Sequence, residues 1–178
     1  MPKLVPESHP ALHAIAEELT TEDFANGTVA KLVKDLKAAI KEYSADGFIA
    51  VAIAAPQIGV SKRIFIIDDQ SEREDDRFPS LVAVNPRIIK ASKKSKLVGE
   101  GCLSVPEAYG LVRRSTNVTL RALDEHGNEY ERGAGGLLAQ IIQHEENHLD
   151  GILFTDIAEK LWTKEEVDAG AHEKHHVE

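Results

Sequence analysis

The stretch Leu137-Leu138-Ala139-Gln140-Ile141-Ile142-Gln143-His144-Glu145-Glu146-Asn147-His148-Leu149 organises the reading of the whole chain. Its apolar residues recur at helical spacing after a glycine-rich entry, Gly133-Ala134-Gly135-Gly136, which predicts a helix that is mostly buried. Within it, His144 and His148 stand at i and i+4, so both imidazoles project from one face about a turn apart, with Glu145 angled beside them. Two imidazoles and a carboxylate among Leu137, Leu138, Ile141, Ile142 and Leu149 are costly unless they are paired or coordinated. A shared divalent metal would supply that pairing.

Working outward, a first helix is predicted from Gly27 onward by Val29, Leu32, Val33, Leu36, Ile40 and Tyr43, with lysines and acids between them, closing before Gly47. Phe48 to Ala55 is an unbroken apolar run ended by Pro56, a buried strand or packed loop, and Gln57 follows it abruptly. Strand signals then appear at Arg63 to Asp68, Leu81 to Val84 and Arg87 to Ile89, with a charged loop from Asp69 to Pro79. Val118 to Leu123 and Glu129 to Glu131, joined by Asp124-Glu125-His126-Gly127-Asn128, read as a hairpin. Helix, several strands and helix, without strict alternation, predict an α+β fold with a mainly antiparallel sheet. Residues 1–162 are expected to form a single catalytic domain, and 163–178 a polar tail or short helix in which His172, His175 and His176 are solvated.

The 178-residue length fits one core. A formal net charge of -9 lacks the overall basic footprint of a nucleic-acid binder, so no such contact is predicted from charge. No segment approaches the roughly 18 apolar residues of a membrane span, and the start, MPKLVPESHP, does not read as a leader; a cytoplasmic protein without membrane contact is expected. The chain has one cysteine, Cys102, which cannot form an internal disulfide and is free for metal or nucleophilic chemistry.

Two histidines leave a catalytic ion one ligand short of the usual three. Cys102, in Glu100-Gly101-Cys102-Leu103-Ser104-Val105-Pro106, is the best third donor, leaving a fourth position for water whose pKa the metal lowers. Glu145 would carry that water's proton to a leaving amine. The amide of Gln57 and the backbone N–H of Leu103 are candidate donors to a carbonyl oxygen that becomes negative. A zincin-type peptidase, taking its third ligand from Asp150, Asp156 or Glu159, is the alternative.

Three motifs in order, Ala50-Val51-Ala52-Ile53-Ala54-Ala55-Pro56-Gln57, Glu100-Gly101-Cys102-Leu103-Ser104 and Gln143-His144-Glu145-Glu146-Asn147-His148-Leu149-Asp150-Gly151, resemble those of peptide deformylases. The resemblance runs to about Ile157. It implies an α+β fold of antiparallel strands around a central metal-binding helix. It implies removal of the N-formyl group from the formylmethionine of newly made polypeptides, possible ribosomal proximity, and release of formate. It also implies Cys102, His144 and His148 as ligands of one divalent metal, Fe2+ natively, with Zn2+, Ni2+ or Co2+ accepted. Glu145 becomes the acid/base, and Gln57 with Leu103 the oxyanion hole. Val51, Leu137 and Ile141 would line a methionine pocket, and the peptide would pair near Val51 to Ile53 and Gly110. The chain departs from that family's pattern at Ala50 and Ala52, where glycines are usual, and at Gln140 and Asn147. Alanines there would strain or narrow the cleft if positive φ or close approach were needed. A relative that binds metal or peptide without turnover is a further alternative.

Overall fold

The computed structural model describes residues 3–44, 50–69 and 78–170. A 3-10 turn at Pro10–His13 leads into α1 (Thr21–Ala25) and α2 (Thr28–Ser44). Among the described residues eight strands then follow in order: β1 (Ala52–Ala54), β2 (Ile64–Ile67), β3 (Leu81–Ala91), β4 (Ser95–Cys102), β5 (Val105–Ser115), β6 (Asn117–Leu123), β7 (Glu129–Gly135) and, near the end, β8 (Lys160–Thr163). α3 (Gly136–Leu149) and α4 (Phe154–Ile157) separate β7 from β8, and α5 (Lys164–Asp168) closes the described chain. The strands form a five-stranded sheet in the order β1-β2-β3-β6-β7 and a three-stranded sheet in the order β4-β5-β8. Every ladder between these strands is antiparallel. The expected α+β class is the observed one.

α2 buries Val29, Leu32, Val33, Leu36 and Ile40 against β1 and β2, which is the face its periodicity marked. α3 packs its Ala139, Ile142 and Leu149 onto the five-stranded sheet, against Phe65, Ile67 and Leu120. Its opposite side meets β5, so the helix lies between the sheets. Only one stripe of it is core: Leu137 is 57% exposed, so the expectation that this leucine sits in the interior fails.

The carboxyl end of α3 is fixed by a buried cation. Arg63, 2% exposed, donates from Nη1 to Leu149 O at 3.3 Å and to Asp150 Oδ1 at 2.6 Å, and from Nε to Pro86 O at 3.2 Å. A guanidinium here satisfies a carbonyl with no partner inside the helix and suits the negative end of its dipole. Gly151 then turns with φ 72°, and a Cβ on it would lie 2.8 Å from the backbone of His13 and Ala14. That close approach lets Ala16 N–H donate to Leu149 O at 2.8 Å, clamping the N-terminal segment to the helix.

Several differences from expectation have local causes. Leu81 to Val84 and Arg87 to Ile89 are one strand, β3, interrupted by a register shift at Asn85, whose φ is 50° and whose side chain bonds both Leu19 N–H and Leu19 O. β4, β5 and β8 were not anticipated. β4 carries Lys96, Gly99 and Gly101, and β5 carries Gly110, Arg113 and Arg114, which blurs the alternation. The glycine-rich entry to α3 is instead the end of β7. Residues 70–77 of the charged loop, the start of the Phe48 run and His172, His175 and His176 lie outside the described residues.

We predict that Gly151→Ala lowers stability by at least ~2 kcal/mol, combining left-handed strain with overlap on the His13–Ala14 backbone. Gly127→Ala is the control: its φ is 84°, but its nearest neighbour would be Phe24 at 3.6 Å. Urea unfolding checks this; equal losses in both variants would contradict the clamp.

Candidate active site

Three side chains from two elements converge on one point. α3 contributes His144 and His148, and the last residue of β4 contributes Cys102. One donor atom from each of these side chains lies within 4.8 Å of the others, making them the group that could hold a metal ion among the described residues. Cys102 Sγ is 3.2 Å from His148 Nε2, and the two imidazole rings stand edge to face with centroids 4.9 Å apart. Sulfur and imidazole nitrogen at this spacing are the donor set of a tetrahedral zinc- or iron-type site.

The histidines are held differently. His144 Nδ1 lies 2.9 Å from Glu100 Oε2, and as the donor there it leaves Nε2 for a ligand bond. Glu100 in turn accepts Arg114 Nε at 2.7 Å and Nη2 at 2.9 Å, a two-point fork between β4 and β5. Arg114 Nη1 reaches back to Asn147 Oδ1 at 2.5 Å, which returns the network to α3. Asn147 thus anchors the arginine, a role its sequence position did not disclose. Gln140 likewise ties α3 to β4 by donating to Gly99 O at 2.9 Å.

Charge in the pocket is arranged by these contacts. Burial acts to raise the Glu100 carboxyl, but the hydrogen bonds from Arg114 and His144 hold it down at about 2. Burial would lower His144, yet Cys102 and Glu100 draw it up to about 10. The ionised Glu100 carboxylate therefore draws positive charge to this imidazole, the demand that a divalent ion meets. Burial keeps His148 neutral, well below its ordinary value, as a nitrogen ligand must be. Its Nδ1 is buried without a partner among the described residues. The donor chemistry fits a metal.

Glu145, one residue from His144, is 4% exposed, and its Oε2 has no hydrogen-bond partner among the described residues. Burial pushes its carboxyl up to about 7, with His144 opposing. Gln57, 2% exposed, sits in the 3-10 turn Ala55–Ile58 that follows β1. Its Oε1 accepts Ala54 N–H at 2.9 Å, so its Nε2 is the end turned inward, 3.2 Å from Ser104 Oγ and 3.6 Å from Cys102 Sγ. The local backbone bond expected of a turn residue is present, and it is what aims the amide. Leu103 follows Cys102 in the turn between β4 and β5.

These groups open into a cavity of about 570 Å³ whose walls include Gln57, Cys102, Leu103, Ile141, His144 and Glu145. Val51 also lines it, together with Ala50, Ala52, Tyr43 and Tyr109, of which the tyrosines were not anticipated. Ile53, Gly110 and Leu137 are not among the lining residues. Ile53 is fully buried, Leu137 faces out, and a Cβ at Gly110 would strike Leu161 and Lys160 O on the β8 side. Neither Ala50 nor Ala52 has positive φ, so alanine is unstrained at both. The carboxylates expected of a zincin are engaged elsewhere: Asp150 with Arg63, Asp156 with Leu153 N–H and Glu159 with Arg113.

If Glu100 orients His144, Glu100→Gln should weaken metal binding about 10- to 100-fold, read by chelator competition. Unchanged affinity would show that His144 needs no such partner.

A family model described as "Polypeptide deformylase" matches residues 1–164. A peptide deformylase from Pseudothermotoga lettingae is 44% identical over 130 residues, covering 73% of this chain and 68% of that one. One from Rhizobium meliloti is 36% identical over 152 residues, covering 85% and 82%. Among solved structures, a class I type b peptide deformylase from Acinetobacter baumannii with Met-Ala-Ser bound is 32% identical, with TM-score 0.77 and coverage of 86% of this chain and 96% of that one. The peptide deformylase of Thermotoga maritima superposes with TM-score 0.77 at 26% identity, covering 90% and 99%. With a family match over nearly the whole chain and a site whose donors converge as that family's motifs imply, the chain belongs to the polypeptide deformylase family.

Proposed function

We propose that this enzyme hydrolyses the formyl amide of N-formylmethionyl peptides, releasing formate and a free amino terminus. The observation that carries the reading is a Cys102–His144–His148 donor set beside a buried Glu145, whose Oε2 has no partner among the described residues, and an inward-turned Gln57 amide in one cavity. Among the described residues β1 ends the five-stranded sheet and pairs only β2, and Val51 and Ala52 at this edge line the cavity. A peptide adding to that edge gains main-chain hydrogen bonds that are indifferent to side chains, which suits substrates differing beyond their first residue. The methionine side chain then lies against Val51 and Ile141, an apolar lining suited to a thioether. Ile53, Gly110 and Leu137 remain outside this assignment.

In the reaction, Gln57 Nε2 and Leu103 N–H donate to the formyl oxygen as it gains negative charge. Glu145 removes a proton from the attacking water and returns it to the departing amine nitrogen, so the C–O bond forms and the C–N bond breaks with no net proton loss from the enzyme. A carboxyl near neutrality is matched to both transfers. Cys102, His144 and His148 would hold the divalent ion, which when bound polarises the carbonyl and lowers the pKa of water. Fe2+ is our proposed native metal, and Zn2+, Ni2+ and Co2+ suit the same thiolate–imidazole donors. We place the reaction in the cytoplasm on nascent chains; among the described residues no helix is long and apolar enough to cross a membrane.

Iron-loaded protein kept anaerobic should release formate from a formyl-Met-Ala peptide. Glu145→Gln should retain the metal and lose about 10²- to 10⁴-fold in kcat. Metal-replete wild type without turnover would return the chain to a binding role.

A further inference from the structure

Two residues of the cavity wall, Leu4 and Tyr43, come from outside the sheets and α3. Leu4 belongs to an irregular strap, residues 3–9, with neither helix nor strand, and Tyr43 stands near the end of α2. Two backbone donors tie the strap down: Leu4 N–H donates to Tyr43 Oη at 3.0 Å, and Val5 N–H to Gln57 O at 2.9 Å. Its far end is pinned as well. His9 N–H donates to Pro6 O at 2.8 Å, and His9 Nδ1 accepts Ala11 N–H at 3.2 Å, which joins the strap to the turn Pro10–His13 and its fully buried Leu12.

The bond to Gln57 falls on a carbonyl that its own turn leaves without a donor. In a 3-10 pattern Gln57 O would accept from Val60 N–H, but that group is drawn to Ala55 O at 3.1 Å. A carbonyl in so buried a residue needs a donor from elsewhere, and Val5 provides it. Gly59 makes room for the approach: its φ is 78°, and a Cβ on it would lie 3.0 Å from Val5 Cγ1 and 3.5 Å from His9 Cε1. Apolar contacts carry the strap across to the other half of the site. Leu4 packs on the same buried cluster as Ile58 and Leu103, and Val5 on the same cluster as Cys102.

We propose that Val5 and Tyr43 are positioning residues for Gln57. The strap, held by the Tyr43 hydroxyl at one point and by Gln57 O at the next, fixes the tilt of the Ala55–Ile58 turn. That turn has only four residues and few bonds of its own, so an outside tether decides where its side chain points. Ala54 N–H holds Gln57 Oε1 from within the turn, Val5 N–H holds Gln57 O from without, and the amide is left facing Ser104 and Cys102. The inference rests on the deformylation reading, in which this amide meets the formyl oxygen. A donor to that oxygen must be accurately placed, and a misplacement of about 1 Å can cost on the order of 100-fold in rate.

The test uses full-length, metal-loaded protein and a formyl-Met-Ala peptide. Val5→Pro removes the N–H and should lower kcat and kcat/KM together by at least ~10-fold, leaving KM unchanged. Val5→Ala keeps the N–H and should retain most of the activity that Val5→Pro loses. Tyr43→Phe removes only the hydroxyl and should lower kcat by a smaller factor; it carries the test alone if Val5→Pro does not fold. Acting through Gln57, either loss should vanish when the same substitution is made in Gln57→Ala. A second readout needs no turnover: in proton–nitrogen spectra of zinc-loaded protein, the Gln57 side-chain amide signals, assigned by their absence in Gln57→Ala, should move in Tyr43→Phe and Val5→Pro. Full kcat in both variants, losses that persist undiminished in Gln57→Ala, or unmoved Gln57 signals would each overturn the proposal. If wild type releases no formate, the deformylase reading falls, while the amide spectra still decide whether the strap positions Gln57.

Discussion

The carboxylate of Glu100 is the constraint on which the rest of the site depends. It is buried with Arg114, and isolating either charge from water would cost several kcal/mol. The two-point fork between them offsets that cost only while β4 and β5 keep their register, in which Glu100 stands opposite Gly110 and Lys96 opposite Arg114. The same carboxylate takes the Nδ1 of His144, and the same arginine takes Asn147. One buried network therefore sets the distance from the three-stranded sheet to α3, and with it the distance from Cys102 to the histidines. At the other end of α3, Arg63 and the Gly151 clamp fix the helix from the opposite side. The metal donors sit between two anchored ends.

The network also separates the roles of two glutamates. Glu100 is saturated with cationic donors and stays ionised. Glu145, equally buried but with an oxygen left unpartnered, titrates near neutrality. One carboxylate is a fixed charge that orients a ligand, and the other is free to move a proton. Their difference comes from surroundings, not residue type.

How much of this was legible in the sequence follows from the range of each interaction. α2 and α3 announce themselves because helical periodicity is local, and the β6–β7 hairpin because its turn residues are adjacent. His144, His148 and Glu145 could be placed on one face from spacing alone. Cys102 could be proposed from chemistry and from resemblance to deformylases. Glu100, Arg114 and Asn147 could not be connected, since they meet through strand pairing and helix docking over 14 and 33 residues of chain. β4 and β5 were hidden by the glycines and basic residues that fit them to the cavity and the network. Leu137 shows the limit of reading apolar residues as core: its spacing is helical, but it faces outward from the first turn of α3.

The central claim is that Cys102, His144 and His148 together hold the metal while Glu145 stays outside the coordination shell. X-ray absorption at the metal edge of zinc-reconstituted protein reads this directly. The account predicts one sulfur at about 2.3 Å and two imidazole nitrogens at about 2.0–2.1 Å, with the sulfur lost in Cys102→Ala and the spectrum unchanged in Glu145→Gln. A shell of nitrogen and oxygen without sulfur, or one altered by Glu145→Gln, would contradict it.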